Sequence, residues 1–192
     1  MTRPDPNGRL YKLGHIISGA WVEHSFPPVY RVSQSNEQVQ RLVAGVPAGD
    51  SEVFRRLVTC LEPPYSLLYV LHTPRGEGDA GRYQSPALPL GEFKAFVSRF
   101  KRFLSQDARF DIWARSATEQ ATVVWDRHNQ VFAYGPLHRF ESELRALGFS
   151  RGNLEVPIPH EHHYRAELDV LARELIRAFR WAYSPLLPED EQ

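Results

Sequence analysis

The sequence predicts an α+β fold, in which helices pack on a mostly antiparallel sheet of about five strands within a single domain. Apolar residues recur at helical spacing in five segments, and five shorter apolar runs between them are typical of strands. The predicted order is α-α-β-α-β-β-β-α-β-α. Because this order lacks the regular strand–helix alternation of a parallel sheet, it favours antiparallel pairing.

The five predicted helices follow from apolar residues spaced three and four positions apart. They cover residues 39–46, 51–62, 89–105, 137–147 and 165–183. Ser35 and Gln38 are spaced as a capping box for the first helix, and Asp50 or Ser51 can cap the second. Gly148 stops the fourth helix, since glycine readily adopts the left-handed geometry of a helix end.

The five predicted strands lie between these helices. They cover residues 65–72, 110–114, 121–125, 131–134 and 154–158. The first is a nearly continuous apolar run, which is typical of a central strand covered on both faces. The turn-forming residues 126–130 join the third and fourth strands into a hairpin with a longer loop. Pro157 and Pro159 cannot donate to a ladder and therefore place the last strand at an edge.

The length of 192 residues suits one domain. Residues 1–9 are rich in proline, glycine and asparagine and are predicted to form a frayed N-terminal tail. Residues 10–183 then form the α+β domain, and residues 184–192 form an acidic C-terminal tail.

The charge and cysteine content exclude several classes of protein. Lys and Arg total 23 residues, as do Asp and Glu, so the chain lacks the basic field that gathers nucleic-acid phosphates. The single cysteine, Cys60, allows no intrachain disulfide and suits a reducing compartment. No run approaches the roughly 18 apolar residues of a membrane span, and the N-terminus lacks a signal-peptide core. We therefore expect a cytoplasmic protein without a membrane segment.

Ligand chemistry is most concentrated in the segment Pro157–Tyr164, which holds three of the eight histidines. Neutral imidazole is the commonest protein metal ligand near neutral pH. We therefore predict His160, His162 and His163 as ligands of a divalent metal such as zinc. In an extended segment, His160 and His162 point to one side and His163 to the other.

Two histidines leave the coordination of a metal incomplete, and Glu167 can come round from the first turn of the last helix. The spacing of His160, His162 and Glu167 resembles the metal-binding pattern of cupins, but the cupin glycines are missing and the next segment is helical. His162 and Glu167 are candidate catalytic residues, and Tyr164 is a candidate ligand-binding residue. The alternative is an entry turn in which Tyr164 acts as a hydrophobic staple for the helix.

The hairpin loop at residues 126–130 is the second candidate region. It contains Asp126, His128 and Asn129, which are competent in acid–base or hydrogen-bond chemistry but are also ordinary turn formers. We predict His128 as a catalytic residue, and Asn129 and the neighbouring Tyr134 as ligand-binding residues. This hypothesis depends on a fold that brings His128 beside His160 or His162.

Residues 76–81 match the pattern G-x-G-x-x-G after a strand, yet no helix begins within the pattern to present its N–H groups to a phosphate. We therefore interpret residues 74–88 as a mobile surface loop, long enough to form a lid. Arg75 and Arg82 in this loop are candidate contacts for an anionic ligand.

Two functional hypotheses follow, because the sequence contains no G-x-S-x-G, H-E-x-x-H, Walker A or C-x-x-C motif. The first is a small cytosolic binding or regulatory protein, of immunity type for example, which recognises a protein partner or a small molecule through aromatic residues. The second is a metal-dependent hydrolase that uses His160, His162 and either His128 or Glu167 to activate water.

Overall fold

Short strands rather than long helices make up most of the regular structure in the computed structural model, which describes residues 7, 9–34 and 39–191. The strands are β1 (Leu13–Ile17), β2 (Ala20–His24), β3 (Val29–Gln34), β4 (Gln40–Gly45), β5 (Tyr65–Leu71), β6 (Gly81–Gln84), β7 (Phe110–Ser116), β8 (Thr122–Trp125), β9 (Gln130–Tyr134), β10 (Ser150–Arg151), β11 (His160–His162) and β12 (Ala182–Ser184). The α-helices are α1 (Ser51–Val58), α2 (Leu90–Gln106), α3 (Leu137–Ala146) and α4 (Asp169–Ile176). Single 3₁₀ turns span Pro47–Gly49, Ala166–Leu168 and Pro188–Glu191.

These strands form two sheets. The main sheet has nine strands in the order β10-β3-β4-β9-β8-β7-β5-β6-β12, with β10 parallel to β3 and the other neighbours antiparallel. The small sheet has the order β11-β1-β2 and is antiparallel. The predicted α+β class is confirmed. The prediction of about five antiparallel strands is wrong, since the main sheet alone has nine strands of mixed direction.

The helices cover one face of the main sheet and enclose the larger hydrophobic core. Alternate residues of β5, among them Leu67 and Tyr69, point into this core, and α2 contributes Phe93 and Phe100 from its apolar face. Each such side chain contributes about 1.5–3 kcal/mol when fully buried. Trp125 at the end of β8 is fully buried in the same core and fixes the start of the β8–β9 turn.

The helices predicted at the second, third and fourth positions are confirmed as α1, α2 and α3. Asp50 caps α1, because its carboxylate accepts a hydrogen bond from the Glu52 amide at 2.9 Å. Gly148 follows α3 with a φ of +85°, which is the left-handed geometry expected of a glycine after a helix.

The helix predicted at residues 39–46 is wrong, because residues 40–45 form β4. Leu42 faces the helix-covered core, whereas Val43 packs against Phe26 and Leu154 on the opposite face. Since β4 lies between β3 and β9 and is buried on both faces, its apolar residues are consecutive and imitate a helical seam. The predicted capping box falls on residues 35–38, which lie outside the described residues.

The last predicted helix and the last predicted strand are also corrected. The helix α4 ends at Ile176, and the chain then forms β12, which pairs with β6. Phe179 and Trp181 extend the helical pattern of the sequence because they pack on Phe96 of α2 from an irregular segment. Residues 154–158 form no strand, and the nearest strand lies at β11 instead.

The predicted mobile loop at residues 74–88 is tied to the body of the molecule. It contains β6, and the buried carboxylate of Glu77 accepts a hydrogen bond from Arg109 at 3.0 Å. The segment predicted as an acidic tail also makes contacts, since the buried side chain of Asp190 pairs with Arg82 at 3.1 Å. No α-helix in the described part of the chain is both long and apolar enough to cross a membrane.

Candidate metal centre

Three histidines from two distant segments converge at one point. His128 lies in the β8–β9 turn of the main sheet, while His160 and His162 lie on β11 of the small sheet. Each residue offers one ligand nitrogen, and the three nitrogens lie within 4.8 Å of one another. The ring centroid of His162 is 4.9 Å from that of His128 and 5.2 Å from that of His160.

The two histidines of β11 share a face because side chains alternate along a strand. β11 pairs with β1, with His160 opposite His15 and His162 opposite Leu13, so both side chains stand on the same side of the small sheet. His163 lies on the other side, where its Nε2 is 3.6 Å from the Glu23 carboxylate. The structure thus separates His163 from the two histidines with which the sequence groups it, and puts His128 in its place.

The β8–β9 turn holds His128 through a carboxylate. Asp126 Oδ2 lies 3.0 Å from His128 Nδ1, and Asp126 Oδ1 accepts a hydrogen bond from the Gln130 amide at 2.8 Å. Asn129 occupies the left-handed region with a φ of +63°, which asparagine tolerates. Its amide nitrogen donates to the Val46 carbonyl, and its amide oxygen accepts from Trp125 Nε1. The side chain of Asn129 is therefore committed to holding the turn.

Hydrogen bonds fix which ring nitrogen is available in two of the three histidines. His128 Nδ1 faces a carboxylate, and His160 Nδ1 faces the Pro157 carbonyl at 3.0 Å. Because these oxygens can only accept, Nδ1 carries the proton in both rings and Nε2 keeps its lone pair in the neutral form. An outer carboxylate or carbonyl that orients a metal-binding imidazole in this way is typical of metal sites.

His162 supplies an unsatisfied nitrogen. Its Nε2 is buried and has no hydrogen-bond partner among the described residues, whereas buried polar atoms are normally satisfied. Burial, together with the neighbouring His128 and Arg127, lowers the pKa of His162 to about 3. The ring is therefore neutral at physiological pH, which is the form that binds a metal ion.

Two charged residues, Lys12 and Asp111, lie next to the β8–β9 turn that carries His128. Lys12 is fully buried, and its ammonium group donates to the Asp126 carbonyl at 3.0 Å and lies 4.4 Å from the Trp125 ring centroid. Burial lowers the pKa of Lys12 to about 8, against the attraction of nearby carboxylates such as Asp126. Asp111 hydrogen-bonds His72 at 3.0 Å and accepts from the Arg127 amide at 2.7 Å.

A network of ion pairs holds the chain that leaves β11. The Arg165 guanidinium donates to Glu23 Oε1 at 2.9 Å, and the Arg165 amide donates to Asp107 Oδ2 at 2.9 Å. Asp107 in turn accepts from the fully buried Arg109 at 2.8 Å. The sequence reasoning missed this network, since residues on β2, at the end of α2 and just before β7 become neighbours only through the strand order.

The remaining residues predicted around the histidines occupy different positions. Tyr164 lies beside the centre, with its ring 6.3 Å from that of His162 and 38% of its surface exposed. Glu167 is exposed on the following 3₁₀ turn and does not belong to the group of three ligands.

The three other predicted ligand-binding residues lie elsewhere. Arg75 pairs with Asp169 at 3.1 Å, and Arg82 with Asp190 at 3.1 Å. Tyr134 accepts a hydrogen bond from Arg41 at 3.1 Å on the face of the main sheet that the helices leave uncovered.

Two further histidines, which the sequence leaves scattered, extend the cluster. His15 and His24 lie on the same face of the small sheet as His160, and their ring centroids are 4.6 Å apart. Burial, followed by the influence of His15 and His160, lowers the pKa of His24 to about 4. Alternation along β1 and β2 is the signal that could have found these residues, but it requires those strands to be recognised first.

The ligand set fits a divalent metal that prefers imidazole. Zinc–nitrogen bonds are about 2.0–2.1 Å long, so two ligands of one ion lie at most roughly 4.2 Å apart. A pair of nitrogens at the 4.8 Å limit therefore needs only a small ring rotation to share an ion. Three protein ligands and an open position are typical of catalytic zinc sites, whereas structural sites have four. Comparison of the chain with protein-family models, with curated proteins and with solved structures finds no match.

Proposed function

We propose that the chain binds a divalent metal, zinc in the first instance, through His128, His160 and His162, and uses it to activate water for hydrolysis. The observation that carries this proposal is the convergence of three ligand nitrogens within 4.8 Å from two separate segments of the chain. The oriented Nδ1 atoms of His128 and His160 and the unsatisfied Nε2 of His162 support it independently.

Bound zinc supplies a Lewis acid that lowers the pKa of a coordinated water to about 7. The chain would contribute three neutral histidine ligands, and the Asp126 carboxylate holds one of them, His128. A histidine or carboxylate beside the three ligands would hold the proton released there. Glu167 is exposed on its own turn, so His15, which pairs with His160 across the small sheet and shares its face, is the better candidate for this role.

The metal proposal is tested by elemental analysis of protein purified without a histidine tag or a chelator. We expect about one equivalent of metal per chain, lost in H128A, in H160A and in H162A. H163A tests which of the two ligand sets is right. The sequence predicts His163 as a ligand and the geometry does not, so this variant should retain the metal. H138A is the matched control, since His138 is exposed on α3. Metal-free wild-type protein that zinc does not reconstitute would overturn the proposal.

Hydrolysis is tested separately with p-nitrophenyl acetate and p-nitrophenyl phosphate. Zinc-loaded wild-type protein should cleave at least one of them, and both EDTA and H162A should abolish the activity. Stoichiometric zinc with no hydrolysis of these or related esters would leave a metal-binding protein and remove the enzymatic part of the proposal.

A cytosolic protein that binds a partner is the second proposal. Ile158 is 91% exposed and Ile17 is 53% exposed, and each lies two residues along the chain from one member of the paired residues His160 and His15. Exposed apolar side chains grouped in this way favour contact with another protein. A pull-down should recover a partner that I17D and I158D both lose. Recovery that is unchanged in these variants, or no specific recovery, would contradict it.

A further inference from the structure

The face of the main sheet that carries no helices holds two adjoining cavities. They have volumes of about 460 Å³ and 340 Å³ and share two lining residues, Trp113 and Thr122. Pockets for small molecules commonly measure about 300–1,000 Å³. We call this region the Trp113 groove, defined by the residues that line the two cavities: Ser66, Leu67, Leu68, Arg82, Gln84, Trp113, Arg115, Gln120, Ala121, Thr122, Arg41, Val124, Phe132 and Tyr134.

Strand register builds the groove from alternate residues. Trp113 of β7 stands between Leu68 of β5 and Val124 of β8, and Arg115 is the next residue of β7 on the same face. The intervening Ala114 points into the helix-covered core. The groove is therefore a direct product of the alternation that builds the core on the opposite face.

The larger cavity has polar walls and two guanidinium groups. Arg82 pairs with Asp190, whereas Arg115 is exposed and its guanidinium makes no hydrogen bond or ion pair within the described residues. Gln84 and Gln120 add amide groups, and no carboxylate belongs to the described lining of the cavity. This half of the groove suits an anion, because guanidinium groups bind phosphate in a forked geometry.

The smaller cavity has aromatic walls. Trp113, Phe132 and Tyr134 line it, and the Arg41 guanidinium lies 4.8 Å from the Phe132 ring centroid and donates to the Tyr134 hydroxyl. Trp113 Nε1 and Arg41 Nε are buried without a hydrogen-bond partner among the described residues. This half of the groove therefore offers planar stacking surfaces, and two unsatisfied donors are buried in its walls.

We infer that the Trp113 groove binds a mononucleotide, with the base in the aromatic cavity and the phosphate on the side of Arg115. A base stacks readily on aromatic side chains and has acceptor atoms for unsatisfied N–H groups. A single nucleotide is favoured over a polynucleotide, since the chain has zero formal net charge and lacks an extended basic field. The inference does not rest on the metal centre.

Isothermal titration calorimetry with AMP tests the inference, with adenosine and inorganic phosphate as separate probes. Wild-type protein should bind AMP with a Kd at or below about 1 mM and bind each half-ligand at least about tenfold more weakly. R115M and W113A should each weaken AMP binding by about tenfold or more. R180M is the matched control, because Arg180 is exposed outside the groove, and it should bind AMP as the wild type does.

Several outcomes would overturn the inference. AMP binding that is absent, or that R115M and W113A leave unchanged, places no nucleotide in the groove. If adenosine binds as tightly as AMP, Arg115 does not bind the phosphate. If EDTA abolishes AMP binding, the nucleotide binds at the metal centre and not in the groove. A single-stranded oligonucleotide bound more tightly than AMP, with a steep salt dependence, makes the occupant a polymer. Because Arg115 is exposed, R115M keeps the test valid even if W113A does not fold.

Discussion

A single carboxylate decides which nitrogen of His128 faces the candidate metal centre. As long as Asp126 is ionised and accepts from Nδ1–H, the lone pair of His128 stays on Nε2. D126N places an amide beside the ring, and an amide N–H donated to Nδ1 moves the proton to Nε2, where it blocks coordination. We expect the zinc affinity to fall by about 10–100-fold, as when other outer partners of metal ligands are replaced.

Competition with a chromophoric zinc chelator measures this change. E167Q is the control, since Glu167 is exposed and outside the ligand group, and its affinity should match that of the wild type. Equal zinc affinities in D126N and the wild type would show that the carboxylate does not orient His128.

His24 makes the stability of the metal-free protein depend on pH. Its pKa is about 4 in the folded chain against 6.5 for an ordinary histidine, because burial disfavours the charged ring. Below about pH 6.5 the unfolded chain therefore binds a proton that the folded chain does not. The stabilisation due to neutral His24 is complete above this pH and decreases as the pH falls toward 4.

Urea unfolding in EDTA at about pH 7 and about pH 5 measures this dependence. The wild type should lose stability at the lower pH, and H24Q should lose less. H138Q serves as the control, because His138 is exposed on α3, and its loss should equal that of the wild type. The same loss in H24Q as in the wild type would mean that His24 is not the group that titrates.

At the scale of elements, buried ion pairs join the start of β7 to α4 and to the loop before β6. Arg109 is fully buried and donates to Asp107, Glu77 and Asp169. R109M leaves three carboxylates without their common cation, and removing one partner of a buried pair costs about 3–5 kcal/mol. We therefore expect the free energy of unfolding to fall by about this amount in urea titrations.

The control for R109M is R99M, which breaks an exposed pair between Arg99 and Glu174 with 59% and 43% of the two side chains exposed. Such pairs contribute about 0–1 kcal/mol. If both variants lose the same small amount, the buried network does not stabilise the fold.

The elements that the sequence predicted correctly are those whose apolar pattern depends only on neighbouring residues. The apolar seams of α1, α2 and α3 and the apolar run of β5 are fixed by residues close in sequence. β4 was mistaken for a helix because burial on both faces removes strand alternation. β12 was missed because Phe179 and Trp181 cover the core from an irregular segment that extends a helical pattern.

The candidate site also has one part that the local sequence predicts and another part that depends on long-range contacts. Alternation along an extended segment is local, so it places His160 and His162 on one side and His163 on the other before any fold is known. The approach of His128 depends on the pairing of β11 with β1 and on the seating of the small sheet against the β8–β9 turn. These contacts join residues far apart in sequence, and no local pattern encodes them.

At the scale of the whole molecule, the candidate metal centre lies where the two sheets meet. His160 and His162 belong to the small sheet, and His128 belongs to a turn of the main sheet. An ion bound by all three therefore links the sheets and binds the folded chain better than the unfolded one. Zinc at about 100 times its Kd should add about 2.7 kcal/mol to the free energy of unfolding. For a chain of this size, this corresponds to a rise in Tm of about 5–10 °C.

Differential scanning calorimetry with zinc and with EDTA measures the rise, and hydrogen exchange locates it. Protection should increase most in β1, β11 and the β8–β9 turn, because local opening of the small sheet must break the metal link. H162A should show neither effect, while H138A should show both. A rise in Tm that persists in H162A would assign the stabilisation to zinc bound elsewhere. A rise without added protection in β11 would mean that the ion does not join the two sheets.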